Sequence, residues 1–201
     1  MPYKDKLKQK EYQNKYFKKN LVKYRENNRL KRNEIAQRLY DYKATLKCLC
    51  CGKSGPVCID FHHNGDSAKS GTVSNIVRQT RCWEKILEEI NKCIPVCVNC
   101  HRKIHKTDNQ KYLIDCDGSQ QNKREIIRWY INYKSGLVCD ICGEDEPCCL
   151  DFHHKENKTI KVGLCAGKGW SKNRILKEIE KCEVLCGNCH REFRTFSNKA
   201  S

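Results

Sequence analysis

The chain has 201 residues, 38% of them apolar and 32% charged, with 17 cysteines and a formal net charge of +16. That length suits one or two small domains, and so lean an apolar content excludes two large hydrophobic cores, so metals or disulfides must make up the difference. A field this positive implies a polyanionic partner, nucleic acid well ahead of an acidic membrane surface, and argues against a merely soluble basic exterior.

Residues 1 to 43 hold 14 Lys and Arg against 5 Asp and Glu, more than half of the net charge. Between Pro2 and Gly52 there is neither proline nor glycine, so the stretch reads as helix. Leu7, Phe17, Leu21, Tyr24 and Leu30 make a broken apolar stripe among the lysines, with Tyr12 and Tyr16 one turn apart. A basic helical arm over residues 1–32 that contacts DNA is the expectation, with a plain solvated helix as the alternative.

The rest of the chain is one unit written twice. Residues 34–63 fall without a gap on residues 125–154, which sets Cys48 on Cys139, Cys51 on Cys142, Cys58 on Cys149, and Asp60 to His63 on Asp151 to His154. After a two-residue deletion, Lys69 meets Lys158, Cys93 meets Cys182, and Cys97 to His101 meet Cys186 to His190. Each unit reads as a helix (about 34–43, about 121–134), a C-x-x-C turn and a short strand ending in His-His. A variable loop follows, then a helix (about 83–91, about 172–181) and a second C-x-x-C that opens a last helix. The polar stretch 106–119 is the expected linker between unit one (33–105) and unit two (120–201). A fused repeat makes a pseudo-dimer within a monomer and frees each half to diverge.

Two C-x-x-C pairs about 45 residues apart are a strong metal signal. Cys48, Cys51, Cys97 and Cys100 form one four-thiolate set, and Cys139, Cys142, Cys186 and Cys189 form its copy. Each suits a structural Zn²⁺, because four thiolates leave no position for water or substrate. The odd cysteine count, and the lack of any stretch resembling a signal peptide or membrane span, favour an intracellular chain with no membrane partner (cytoplasm, or nucleus in a eukaryotic host) over a secreted disulfide scaffold. Cys58, Cys93 and their copies read as small buried hydrophobes.

All seven histidines lie in the repeated constellation. His101 and His105 are one turn apart on a helix and can face one metal ion together with His62. Adjacent strand residues point to opposite sides, so His63 is separated from the ligand His62 and is free to act as a general base. Asp60, on the strand face of His62, is placed to orient that imidazole.

The set C-x-x-C, D-x-H-H and C-x-x-C-H-R-x-x-H resembles the HNH, or ββα-metal, nucleases of the zinc-ribbed kind, over roughly residues 46–105 and 137–194. The resemblance implies an α+β fold of two tandem zinc-stapled ββα-metal units behind the basic arm. It also implies an endonuclease that hydrolyses phosphodiesters of double-stranded DNA with Mg²⁺ or another divalent ion, as phage, viral, homing and restriction members do. Carried over, His63 and His154 are general bases, and Asp60 and Asp151 join the catalytic set as the carboxylates that orient the ligand histidines. His62, His101 and His105 hold the catalytic ion in unit one, and His153 and His190 hold it in unit two. Arg102, Arg191, Lys69 and Lys158 are expected at phosphates or DNA. The family's middle Asn is displaced to Asn91 and replaced by Glu180 in the copy, and Arg194 stands where unit one has His105, so unit two is the weaker centre. A non-catalytic zinc protein that binds nucleic acid is the alternative, ahead of a zinc-based protein interaction module.

Overall fold

The computed structural model describes residues 6–65, 70–106, 121–165 and 168–197. The linker beyond Lys106 lies outside them. The architecture is mixed α+β, with eight helices and two small antiparallel sheets among the described residues.

Helix α1 runs unbroken over Lys6–Ala44, about 58 Å at 1.5 Å per residue. The arm and the first helix of unit one are therefore a single element. Only its last turns carry apolar residues at helical spacing: Ile35, Leu39 and Tyr42 pack on Val73, Trp83, Ile86 and Ile90. Upstream, Leu7, Tyr12, Tyr16, Phe17, Tyr24 and Leu30 are exposed among the lysines. Burial ends where the stripe breaks.

Strand β1 (Ile59–His63) pairs with β2 (Cys93–Cys97), Ile59 opposite Cys97 and His63 opposite Cys93. Strand β3 (Leu150–His154) pairs with β4 (Cys182–Cys186) in the equivalent register. Between the strands of unit one lie α2 (Val73–Gln79) and α3 (Trp83–Ile90), and α4 (Val98–Ile104) closes the unit. Unit two repeats this with α5 (Gln121–Lys134), α6 (Val162–Cys165), α7 (Lys172–Ile179) and α8 (Gly187–Ser197). The expected helices at 83–91 and 172–181 are present as α3 and α7. The stretch read as a variable loop holds α2, started by Thr72, whose side chain accepts a hydrogen bond from the Asn75 N–H.

The units meet where α4 lies on α8. A Cβ added at Gly187 would stand 2.6 Å from Val98 Cγ1 and 3.1 Å from Arg102 Cζ, so the close approach requires glycine there. At the equivalent position of the repeat unit one carries Val98, and the valine fills the space the glycine leaves.

Candidate metal centres and the cavities beside them

Each C-x-x-C turn is built by backbone geometry. Cys48 N–H donates to Lys53 O and Gly52 N–H to Cys48 O, both at 2.9 Å, and Gly52 takes φ 74°, a left-handed value that glycine adopts without cost. Gly143 does the same in the copy. The second pair of each set sits where β2 runs into α4 and β4 into α8, so the thiols cap a helix: Cys97 Sγ accepts from Cys100 N–H and Cys186 Sγ from Cys189 N–H, both at 3.4 Å.

These elements bring Cys48, Cys51, Cys97 and Cys100 together, and likewise Cys139, Cys142, Cys186 and Cys189, the sulfurs of each set all within 4.8 Å of one another. Both clusters can hold zinc. Burial opposes ionisation of Cys48, but backbone N–H groups of Cys97, Cys51 and Cys50 outweigh it and lower its pKa; Cys139 is lowered in the same way by Cys186, Cys142 and Ile141. A thiol biased toward thiolate is a better zinc ligand. Asn188 of unit two donates to Cys97 Sγ of unit one at 3.4 Å, a cross-unit bond to a ligand sulfur.

The other recurring cysteines have structural partners. Cys93 and Cys182 each donate to the carbonyl of the buried glutamate four residues earlier, both at 3.3 Å. Cys58 and Cys149 lie at the unit interface, reaching Glu192 Oε1 and Asn99 O.

In unit one, His62, His101 and His105 converge, with donor atoms within 4.8 Å and ring centroids 4.9–5.2 Å apart. They border a cavity of about 520 Å³ that His63, Asp60, Lys43 and Arg191 also line. Three imidazoles without a carboxylate among them suit Zn²⁺, Ni²⁺ or a similar nitrogen-seeking ion better than Mg²⁺ or Mn²⁺, which prefer oxygen donors.

His63 faces the same cavity, and its Nε2 lies 2.7 Å from Oε1 of Glu89, a carboxylate only 2% exposed. Lys92 donates to the other oxygen at 2.8 Å. Burial works against charge on Glu89, but the Lys92 and His63 hydrogen bonds hold its pKa down at about 2. An ionised carboxylate only accepts, so the His63 Nε2–H donates to it, and in the neutral ring Nδ1 is then the nitrogen with the lone pair. Unit two repeats this with His154, Glu178 and Lys181, each contact at 2.8 Å. Asn91 and Glu180, the displaced family position, are exposed C-caps of α3 and α7. Glu89 and Glu178 are thus functional candidates that lie outside the C-x-x-C, D-x-H-H and C-x-x-C-H motifs. The signal was present, because both the glutamates and the lysines three residues on coincide in the repeat.

The structure assigns Asp60 and Asp151 other partners than the strand-face argument implied. Asp60 Oδ2 lies 3.5 Å from His101 Nδ1, and Asp151 Oδ2 lies 3.3 Å from His190 Nδ1, each histidine on the neighbouring helix rather than on the strand. The arginines expected at phosphate reach these same carboxylates across the unit boundary. Arg191 grips Asp60 with both terminal nitrogens, at 2.7 and 3.0 Å. Arg102 donates to Asp151 at 2.8 Å and to Cys149 O at 2.9 Å. Both carboxylates are held at pKa about 2: burial raises them, and the histidine and arginine contacts more than reverse it. Each unit therefore lends an arginine to the other's site.

Unit two differs at the third ligand. His153 and His190 are adjacent, ring centroids 4.9 Å apart, but Phe193 packs on His153 at 4.9 Å, the separation His105 keeps from His62. Among the described residues no third donor joins the pair. Lys158 lines this cavity; Lys69 lies outside the described residues.

No family model, curated protein or solved structure matches this chain. Among the described residues no helix is long and apolar enough to cross a membrane.

Proposed function

We propose that the chain is a metal-dependent endonuclease of the HNH type in which unit one cuts and unit two binds. The observation that carries this reading is the three-histidine cluster beside a fourth histidine that Glu89 fixes in one tautomer, all on one cavity. A structural role for His63 alone would need no neighbouring cluster of ligand-type donors.

A divalent ion on His62, His101 and His105 would supply Lewis-acid chemistry, offsetting charge on the scissile phosphate and the departing 3′ oxygen. His63 Nδ1 takes a proton from water as the oxygen attacks phosphorus, and the P–O3′ bond breaks. Glu89 then bears on the imidazolium that forms, as an ionised partner 2.7 Å away. Asp60, steadied by Arg191, orients His101. The exposed lysines and arginines of α1 offer a track of positive charge for the duplex backbone, which predicts strongly salt-dependent binding.

The test is relaxation of supercoiled plasmid with Mn²⁺, Zn²⁺ or Mg²⁺ by wild type, His63→Ala, His154→Ala and the double variant. Nicked circles from wild type, lost in His63→Ala and kept in His154→Ala, are expected. Linear product that needs both histidines would make unit two a second cutting centre. Tight DNA binding without cleavage, across metals and across single strands and RNA, leaves the non-catalytic zinc protein as the answer.

A further inference from the structure

We propose that the unit-two cavity is a metal-free binding site for a phosphate group. It has nearly the volume of its counterpart, about 500 Å³, but a different wall. Where unit one places Thr72, Ser74 and His105, unit two places Lys161, Gly163 and Arg194; Lys158, which the repeat pairs with Lys69, lines the same wall. The repeat thus exchanges two neutral or metal-binding residues for cations and opens room beside them.

The balance of charge follows from the contacts. Among the described residues no hydrogen bond or ion pair engages the side-chain nitrogens of Lys158, Lys161 or Arg194. Asp151, the one carboxylate of the lining, is already engaged by Arg102 and His190. Phe193 presents carbon where a third imidazole would complete a metal site. Cations with spare donors around a cavity of ligand size recognise an oxyanion, and an arginine fork matches phosphate oxygens in pairs. The inference rests on the proposed nucleic-acid partner only for the source of the phosphate; it does not need unit one to cut.

The experiment uses full-length, zinc-loaded protein without added divalent ion. Inorganic phosphate is titrated by calorimetry and a short DNA duplex by fluorescence anisotropy. Wild type is compared with Lys161→Thr/Arg194→His, which carries the unit-one residues, and with Lys85→Ala/Lys177→Ala, two exposed lysines away from both cavities and from α1, as a charge-matched control. Zinc content checks that each variant folds. The cavity variant is expected to bind phosphate about tenfold or more weakly, the loss of one charge-assisted hydrogen bond or more, while the control variant binds it as wild type does. Weakening on both probes assigns the cavity to phosphate groups in general; weakening on the duplex alone assigns it to phosphodiesters. Affinities unchanged on both probes overturn the proposal. So does a Mn²⁺ ion that binds in this cavity and is lost on His153→Ala. Failure of the nuclease reading would show as plasmid left uncut and would leave these titrations unaltered.

Discussion

Replacing Arg191 by alanine separates two roles for this side chain that differ in sign on different observables. As a clamp, Arg191 holds Asp60 of the other unit through two bonds of 2.7 and 3.0 Å and reaches Val57 O at 3.3 Å. The pKa of Asp60 falls from 3.8 to about 2, which corresponds to roughly 2–2.5 kcal/mol favouring the charged form. Against the opposing cost of burial, His101 is the largest single cause of the lowering, and Arg191 adds to it through both its hydrogen bond and its charge. Arg191 is 43% exposed and so is screened, which leaves it on the order of 1 kcal/mol. For a chain of this size the loss should lower Tm by about 2–4 °C. Arg191→Lys should recover little, because an ammonium cannot reproduce the planar fork.

As a phosphate contact, the same residue would leave Tm unchanged and lower the slope of log K against log salt by about 1. Thermal unfolding and duplex binding over a salt series, on the same samples, distinguish the two. A flat Tm with a reduced salt slope would refute the clamp. Arg102→Ala, with partners of its own at Asp151 and Cys149, should behave alike, and the double variant should lose at least the sum.

Glu89→Gln leaves His63 and Lys92 without their buried carboxylate and should cost about 3–5 kcal/mol in urea unfolding near neutral pH. Because the folded pKa of Glu89 is depressed, its contribution is complete above the ordinary value of 4.5 and is lost as pH falls through about 2, so the gap between wild type and variant should narrow over that window. Cys97→Ser and Cys186→Ser should each release one of two bound zinc ions, read by metal content, and the sheet of the affected unit should lose protection from hydrogen exchange. Gly187→Val should destabilise by about 1–3 kcal/mol through overpacking against Val98, and Val98→Gly/Gly187→Val should recover much of it by moving the knob to the other side; additive losses in the cycle would refute the pairing.

The elements that follow from local chemistry were legible. The C-x-x-C turns, the helices near 83–91 and 172–181, and the approach of His62 to His101 and His105 all depend on spacings within one unit. Helix α2 was not, because Thr-Val-Ser-Asn-Ile-Val is rich in residues that favour strand or loop, and its burial against Trp83 and Ile86 decides the outcome. The arginine exchange could not be read either. Arg191 and Asp60 are 131 residues apart, and no local periodicity records which carboxylate a helical arginine meets once two units dock. The pair Glu89 and Glu178 is legible in the repeat, but a glutamate on an amphipathic helix carries no local signal that it is buried, and only the docking of α3 and α7 on the strands brings it to His63 and His154.

The interface also accounts for why the duplication is a fusion. A two-fold homodimer would place the same residue at both copies of position 98 and 187: two valines would collide and two glycines would leave a void. Valine against glycine needs two different sequences. The same freedom holds at the sites. The arginine exchange ties each aspartate to the opposite unit, so the halves stay bound in register whatever lines their cavities. With register secured there, position 105 could keep a histidine for a metal while position 194 became an arginine. On the two proposals above, a single-chain pair would present one phosphate to a metal centre and a second to fixed cations, a division of labour closed to a symmetric dimer of identical units.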